Sequence, residues 1–287
     1  MKFGAVFPQL ESGSDPAAIR EYAQAVEALG FDHILAYDHV LGAGTSTRPD
    51  WSGPYTSDSL FHEVFVLFGY LAAVTTRVEL VTGVLILPQR QTALVAKQAA
   101  EIDLLSGGRL RLGIGVGWNA VEYEVLGEHF HDRGVRSEEQ IALLRALWQQ
   151  PTIDFAGRWH AVQNAGINPL PPRQIPIWIG GYADATLDRI GAIADGWFPW
   201  TAPDDTARAR IARVQAAAHA AGRDPATIGL EAQLSLGRIP REHWAAHVAG
   251  WHALGATHLC INTMGAGYRS LAEHVEGLRL ARESLTG

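Results

Sequence analysis

Short apolar runs alternate with longer segments of helical periodicity from one end of the chain to the other. The first run, residues 3–7, is followed by Asp15 and Pro16, which suit the start of a helix, and that helix is predicted to end at Gly30. The same order repeats and predicts eight strands and eight helices. The predicted strands are residues 3–7, 33–39, 78–87, 109–116, 177–180, 197–200, 230–236 and 258–262. The predicted helices are residues 16–29, 59–74, 92–105, 137–148, 184–194, 205–221, 241–254 and 270–284.

Two segments interrupt this alternation. Residues 42–57 are rich in Gly, Ser, Thr and Pro, and they form a connection too long for an ordinary turn, so we expect a functional or mobile loop. Residues 151–172 contain a predicted small hairpin that turns at Gly157, followed by a proline-rich loop. Both segments are interpreted as insertions into an otherwise regular α/β pattern.

Repeated alternation of strand and helix implies parallel strands joined by right-handed crossovers. Eight such units in 287 residues fit one closed (β/α)8 barrel of the TIM type, with the domain spanning residues 1–287 and carrying both insertions. Two α/β halves divided near residues 151–172 are the alternative.

Composition narrows the class of protein. The chain is 47% hydrophobic with 18% charged residues, and its formal net charge is −7 without a basic run, so binding to nucleic acid through its phosphates is not expected. Cys260 is the single cysteine, which excludes a disulfide framework and a thiolate zinc cluster. No apolar run approaches the roughly 20 residues that a bilayer requires, and the N-terminus lacks a signal-peptide pattern. We expect a cytoplasmic protein with no membrane partner.

In a barrel of this kind, catalytic groups stand where the strands end at their carboxyl side. At those positions aromatic residues and glycines outnumber acids and bases, which suits a flat apolar ligand better than a divalent metal, and no metal site is predicted. His39, beside Asp38, is the candidate catalytic residue, with a capping hydrogen bond as the structural alternative. The residues expected to line the substrate pocket are Gln9, Arg90, Trp118 and Trp200.

The 30 glycines exceed an average content of about 20. Gly113, Gly115 and Gly117 alternate along the fourth predicted strand, but Trp118 stands where a dinucleotide fingerprint needs another glycine. Two interpretations of these glycines stay open: close packing within the sheet, or close approach of a planar ring. Gly180 and Gly181 precede a helix, which is typical of a phosphate site or of a tight turn.

Four segments carry a resemblance to a known family. They are residues 23–31 running into Ala36-Tyr-Asp-His39, residues 80–88, residues 105–119, and residues 176–181 with 194–197. Together they resemble the bacterial-luciferase-like flavin and deazaflavin oxidoreductases over nearly the whole chain. The resemblance implies a (β/α)8 barrel with insertions, in agreement with the strand count.

The resemblance also implies where a cofactor lies. The flavin or deazaflavin ring crosses the mouth of the barrel against a bulge on the third strand, which often carries a non-proline cis peptide bond. Asp38-His39 is similar to the pair in the coenzyme F420 subgroup, in which the histidine lies near the reactive carbon and assists hydride transfer. The implied cofactor-binding residues are Asp38, Thr82, Gly83, Val84, Gly115, Asn119, Gly180, Gly181 and Tyr182.

These observations favour an F420-dependent oxidoreductase that moves a hydride between the deazaflavin and a small organic substrate, with residues 42–57 as a lid. An FMN-dependent monooxygenase is the first alternative, because reduced flavin reacts with O₂ whereas a deazaflavin behaves as a hydride carrier. The absence of an evident acid–base pair leaves a non-catalytic ligand-binding barrel open. A phosphosugar lyase or isomerase would need a lysine or a carboxylate dyad at the strand ends, and the sequence offers neither. The family usually forms homodimers.

Overall fold

The computed structural model describes residues 1–286, which form eleven strands and nine α-helices. The strands are β1 (Lys2–Val6), β2 (His33–Ala36), β3 (Glu79–Thr82), β4 (Leu85–Ile86), β5 (Leu110–Gly115), β6 (Ile153–Ala156), β7 (Ala161–Ala165), β8 (Ile177–Gly180), β9 (Gly196–Phe198), β10 (Gly229–Ser235) and β11 (His258–Asn262). The helices are α1 (Pro16–Ala28), α2 (Val64–Val74), α3 (Thr92–Leu105), α4 (Ala120–Val125), α5 (Arg133–Gln149), α6 (Asp184–Ile193), α7 (Asp205–Ala220), α8 (Trp244–Ala253) and α9 (Leu271–Thr286).

Nine of the strands form one parallel sheet that closes on itself. Strand β1 pairs with β2 and with β11, and β3 pairs with β5, so β3 and β4 occupy a single position in a barrel of eight. The predicted (β/α)8 fold is confirmed. Strand β5 also pairs directly with β8, so the sheet continues across residues 151–172. Strands β6 and β7 form the predicted hairpin outside the barrel.

The third predicted strand, residues 78–87, is wrong as one continuous element. Strand β3 ends at Thr82 and the chain resumes pairing at Leu85, with a cis peptide bond between Gly83 and Val84. The side chain of Leu35 occupies the space next to Gly83, where an added Cβ would lie 2.2 Å from Cδ2 of Leu35. Glycine therefore allows the bulge to pass over the neighbouring strand.

Other predicted boundaries also shift. Strand β2 ends at Ala36, before the predicted end at residue 39. Helix α2 begins at Val64, five residues later than predicted, because the Glu63 carboxylate accepts a hydrogen bond from the backbone N–H of Val66. Helix α4 was not predicted, and helix α5 begins at Arg133, before the predicted residue 137.

The core has two parts. The larger one lies between the sheet and the surrounding helices, as the apolar runs predict. The smaller one fills the inside of the barrel and consists of Val6, Leu35, Tyr37, Val81, Trp178, Phe198 and Cys260. None of the helices within residues 1–286 is both long and apolar enough to span a bilayer.

Candidate active site

The floor of the barrel mouth is built around the bulge that follows β3. A Cβ added to Gly115 would lie 2.5 Å from Val84 Cγ2, and one added to Gly180 would lie 3.0 Å from Val84 Cγ1. A Cβ added to Gly113 would lie 1.9 Å from the carbonyl oxygen of Thr82. Atoms of the same chain therefore fill the space beside these three glycines, which favours the packing interpretation of the glycine alternation. The half-buried side chain of Val84 therefore packs against both Gly115 and Gly180.

His39 stands at this mouth in a pair with Glu122. Nδ1 of His39 lies 3.1 Å from Oε2 of Glu122. Oε1 of the same carboxylate accepts hydrogen bonds from the backbone N–H groups of Val40 (2.8 Å) and Leu41 (3.3 Å). Because an ionised carboxylate only accepts, Nδ1 carries the hydrogen and Nε2 is left as an acceptor. No hydrogen bond to Nε2 is formed within residues 1–286.

The charge state of Glu122 supports this arrangement. Burial opposes ionisation, but the hydrogen bond from His39 and those from the two backbone donors hold the pKa of Glu122 below its ordinary value. Glu122 is therefore a carboxylate at neutral pH and fixes the orientation of the His39 ring.

Aromatic side chains surround His39. The ring centroids of Tyr55, Phe61 and Trp118 lie 4.9, 4.8 and 5.8 Å from that of His39, all in edge-to-face geometry. Trp51 contacts Trp118 in turn, at 5.8 Å. The segment between β2 and α2 thus supplies Trp51, Tyr55 and Phe61, of which the first two lie in the predicted insertion at residues 42–57, and it covers one side of the histidine.

Asp38 and Arg90 engage each other rather than the open mouth. Nη2 of Arg90 lies 2.7 Å from Oδ1 of Asp38, and Nη1 lies 3.0 Å from Oε1 of Glu63. Oδ2 of Asp38 accepts the backbone N–H of Ile86 at 3.2 Å. This network ties the end of β2 to the strand beyond the bulge, and it occupies the guanidinium predicted to meet an anionic tail or substrate.

Three further predicted site residues make internal contacts. The Gln9 side chain is fully buried, donates to the Tyr37 carbonyl (2.7 Å) and accepts the N–H of His62 (2.8 Å). Asn119 accepts the N–H of Val121 and so caps α4. Thr82 Oγ1 donates to the carbonyl of Gly113 at 2.6 Å. Their hydrogen bonds hold the strand ends and loops that shape the mouth.

The turn after β8 offers unoccupied donors. Gly181 has φ +134°, a conformation that favours glycine, and Ala183 at the start of α6 provides no side-chain cap. The N–H of Thr186 donates to the carbonyl of Ala183 at 2.8 Å, whereas the N–H groups of Asp184 and Ala185 form no hydrogen bond within residues 1–286 and stay available for an anion. Tyr182 is 58% exposed beside them, and its ring lies 4.9 Å from the guanidinium carbon of Arg210. Trp200 is 42% exposed and forms the adjoining wall.

Two residues of the mouth were missed from sequence. Tyr37 lies inside the barrel beside Trp200, with the two ring centroids 5.8 Å apart, and the strand period of two from His33 through Leu35 could have indicated it. Glu122 gave no signal, because it lies on α4, which the pattern of apolar residues did not predict.

A closed (β/α)8 barrel with a histidine and aromatic rings at the carboxyl ends of its strands has the architecture of a barrel enzyme. The sequence matches the family model of luciferase-like monooxygenases over residues 1–284. The chain belongs to that family and is an oxidoreductase, as the resemblance implied.

Three relatives illustrate the range of the family. An uncharacterized protein of Mycobacterium tuberculosis is 35% identical over 222 residues, which cover 76% of this chain and 77% of that protein. The FMNH(2)-dependent dimethylsulfone monooxygenase of Pseudomonas fluorescens is 33% identical over 62% of this chain and 46% of its own length. A pyrimidine monooxygenase of Allorhizobium ampelinum is 30% identical over 70% of this chain and 55% of its own length. The matches thus span about half of each of these two monooxygenases.

Two solved structures share the fold. An F420-dependent secondary alcohol dehydrogenase in complex with an F420–acetone adduct superimposes with a TM-score of 0.81 at 17% identity, covering 100% of this chain and 99% of the other. A coenzyme F420-dependent tetrahydromethanopterin reductase from Methanopyrus kandleri gives a TM-score of 0.76 at 14% identity, with coverages of 98% and 97%. At these identities the likeness extends to the fold alone.

Proposed function

We propose that this protein is an F420-dependent oxidoreductase that transfers a hydride between the deazaflavin and a small organic substrate. The observation that carries the proposal is the His39–Glu122 pair at the barrel mouth, with Nε2 of His39 free. A non-catalytic ligand-binding barrel was an alternative because the sequence showed no evident acid–base pair. The His39–Glu122 pair provides such a group.

The residues of the mouth fit such a cofactor. The side chain of Val84, which packs against Gly115 and Gly180, offers an apolar support for a tricyclic ring. The first amides of α6, beside Gly181 and Tyr182, would hold its phosphate. A bound deazaflavin supplies a hydride acceptor or donor for a substrate C–H bond.

His39 would manage the proton that accompanies the hydride. When a substrate alcohol is oxidised, its carbon loses a hydride and its hydroxyl loses a proton, which Nε2 of His39 can accept. In the reverse direction the same nitrogen returns the proton to the carbonyl oxygen. Glu122 keeps Nδ1 protonated and balances the charge on the imidazolium. The rings of Tyr55, Phe61 and Trp118 pack around His39 and shield part of the pair from water.

An FMN-dependent monooxygenase is the second candidate. Two relatives, the dimethylsulfone and pyrimidine monooxygenases, favour the monooxygenase. Two solved structures of the same fold are instead of F420-dependent enzymes. The α6 amides would suit the phosphate of either cofactor, so the choice between them depends on the ring.

Titration of the purified protein with F420 and, separately, with FMN tests this proposal. We expect saturable quenching of F420 fluorescence and much weaker binding of FMN. The His39→Ala variant serves as a matched control, because it leaves the Val84 surface and the α6 amides unchanged and should bind F420 as the wild type does. Binding of FMN alone would contradict the F420 assignment and favour the monooxygenase.

We further propose, from the family resemblance, that the protein is a cytoplasmic homodimer. Sedimentation equilibrium across a range of protein concentrations tests the oligomeric state, and a monomer at all concentrations would refute it. Fractionation of the source cells tests the location.

A further inference from the structure

The predicted lid, residues 42–57, is a closed loop whose two ends lie against each other. The backbone N–H of Ser57 donates to the carbonyl of Ala43 at 3.0 Å. Gly42 lies at the same crossing, because a Cβ added there would lie 2.1 Å from the carbonyl oxygen of Thr56. A surface segment of this length with its ends together is an Ω-loop.

The lid is tied together by its own hydrogen bonds. The N–H of Arg48 donates to the carbonyl of Thr45, and the N–H of Trp51 donates to the carbonyl of Arg48, both at 3.1 Å. The indole Nε1 of Trp51 donates to the carbonyl of Tyr55, also at 3.1 Å. In the described part of the chain, every hydrogen bond of the lid joins two residues of the segment 42–59, and no lid residue forms an ion pair. No polar contact therefore holds the lid to the barrel.

Aromatic contacts hold the lid over the mouth instead. Its underside carries Trp51, Gly53 and Tyr55, which are half-buried, whereas the two residues between them are exposed. The ring centroids of Trp51 and Tyr55 lie 5.8 and 6.4 Å from that of Trp118. Gly53 lies directly on the same indole, because a Cβ added there would lie 2.4 Å from Cζ3 of Trp118. Apolar contacts of this kind are non-directional, so the lid can leave the indole without breaking a hydrogen bond.

The chain on either side of the lid is fixed to the barrel. The N–H of Leu41 donates to Oε1 of Glu122 at 3.3 Å, and the N–H of His62 donates to Oε1 of Gln9 at 2.8 Å. Both acceptors belong to fully buried side chains. A movement of the lid would therefore bend the chain at the two ends of the loop, as in a hinge.

The lid in this position restricts access to the proposed acid–base group. The side chain of His39 is 11% exposed, and Tyr55 of the lid packs edge-to-face on its ring with the centroids 4.9 Å apart. A substrate that exchanges a proton with Nε2 must come within hydrogen-bond distance of it, about 2.6–3.2 Å. Removal of the lid from the histidine widens the approach to that nitrogen.

We propose that the lid moves as one body about its two fixed ends, opening to admit a small molecule to His39 and closing on Trp118. Its internal hydrogen bonds keep its shape, and the contact of Trp51 and Gly53 with Trp118 defines the closed position. Closure over a bound ligand would shield the reacting groups from water. That the admitted molecule is the substrate rests on the function proposed above, whereas the movement itself does not.

Gly53→Ala is the variant that tests the movement, because its added methyl group would overlap the ring of Trp118 in the closed position. Gly44→Ala is the matched control. It makes the same change within the lid, but no atom lies within 4 Å of the added Cβ.

Pulsed electron paramagnetic resonance measures the distance between the lid and the barrel in the full-length protein without cofactor. One spin label is attached through Ser52→Cys on the exposed side of the lid, and the other through Thr206→Cys, an exposed position on α7. The native Cys260 is buried and stays unlabelled. Because no F420 is added, failure of F420 to bind would leave this measurement intact.

We expect the doubly labelled wild type to show a closed distance and a longer, less populated one. Gly53→Ala should raise the population at the longer distance at least severalfold, whereas Gly44→Ala should keep the wild-type distribution. The same distribution in the wild type and in folded Gly53→Ala overturns the proposal, because the Trp118 ring would then have given way instead of the lid. A broad distribution without a second defined distance would mean that the loop unfolds locally, and it also overturns the proposal.

A chemical probe relates the movement to His39. Diethyl pyrocarbonate modifies an imidazole nitrogen that carries no hydrogen, and peptide mass spectrometry follows the reaction at each histidine. We expect His39 to react severalfold faster in Gly53→Ala than in the wild type or in Gly44→Ala, while the exposed His243 reacts equally in all three. A longer lid distance without faster modification of His39 would mean that the loop moves without controlling access, which overturns its role as a lid.

Discussion

The barrel contains a histidine–glutamate pair at each end, and the two pairs differ in what surrounds them. At the mouth, Nδ1 of His39 lies 3.1 Å from Glu122, and the histidine side chain is 11% exposed. At the amino-terminal end of the strands, Nε2 of His33 lies 2.7 Å from Glu231, and its side chain is completely buried. The residue types are the same, but only the pair at the mouth can reach a substrate.

The His33–Glu231 pair is held in place by further contacts of Glu231 with Arg111 and Cys260. Oε2 of Glu231 lies 2.5 Å from Nη1 of Arg111, and Oε1 lies 2.7 Å from the Cys260 thiol. Burial opposes ionisation of Glu231, but the charges of Arg111 and His33 hold its pKa far below the ordinary value. The thiol stays protonated because burial raises the pKa of Cys260. Here the glutamate neutralises a buried cation, whereas Glu122 orients a histidine ring whose Nε2 stays unengaged within residues 1–286.

The largest expected effect separates the two histidines. His39→Ala should lower turnover by about 10²–10⁴-fold, as loss of a general acid–base does, while the variant stays folded and cofactor binding stays near that of the wild type. His33→Ala should lower the melting temperature and leave the activity of the folded enzyme nearly unchanged. Steady-state kinetics and calorimetry measure the turnover and the melting temperature of both variants. Equal loss of activity in the two would contradict a catalytic role that belongs to His39 and not to His33.

The next effect concerns the two glutamates that contact Arg111. Glu231→Gln should lower the free energy of unfolding by about 3–5 kcal/mol, because it leaves a buried guanidinium without full compensation. Glu79→Gln is the matched control: it contacts Nε of the same arginine at 2.9 Å, but its side chain is 26% exposed, so water can replace it. Urea unfolding measures the free energy of unfolding of both variants. An equal loss of stability in the two would contradict the role of Glu231 as the main partner of the buried Arg111.

A smaller effect tests Glu122 as a positioning residue. Glu122→Gln should lower kcat about tenfold, because the amide cannot stabilise the imidazolium, while KM and cofactor affinity change little. Glu122→Asp should restore part of kcat. A proportional change in KM, or no change in kcat, would mean that Glu122 has only a structural role.

The smallest effect is the dependence of stability on pH. Because the pKa of Glu122 is lowered in the folded protein, its contribution to stability is complete above its unfolded value of about 4.3 and is lost as pH falls through the lower folded value. The difference in unfolding free energy between wild type and Glu122→Gln should be constant near neutral pH and narrow below about pH 4. If the difference in unfolding free energy grew in acid, the pKa of Glu122 would be raised rather than lowered in the folded protein.

Much of the barrel could be predicted from local pattern. The strands at residues 177–180 and 258–262 were predicted with their observed bounds, because buried parallel strands read as short apolar runs between helices. The bulge at Gly83 could not be derived from periodicity, since it depends on the methyl groups of Leu35 on the neighbouring strand. The family resemblance, rather than the apolar pattern, indicated it.

The site was predictable to a lesser degree. His39 and Trp118 could be assigned to the mouth because they follow strands, but Glu122 is 83 residues from its partner and lies on an unpredicted helix. Arg90 was expected to line the substrate pocket, and the fold engages it with Asp38 and Glu63. Pairing of charges depends on distances that no local pattern encodes.

The sequence by itself determined the barrel class, the two insertions and the identity of the strand-end residues, because burial and strand period are local properties of the chain. Only the tertiary structure decided which of those residues act together. Closure of the sheet brings Glu122 to His39, while Glu231 is engaged by Arg111. Polar atoms that have no partner inside the protein are the ones that can bind a ligand. Which atoms these are depends on all the hydrogen bonds and ion pairs of the folded chain.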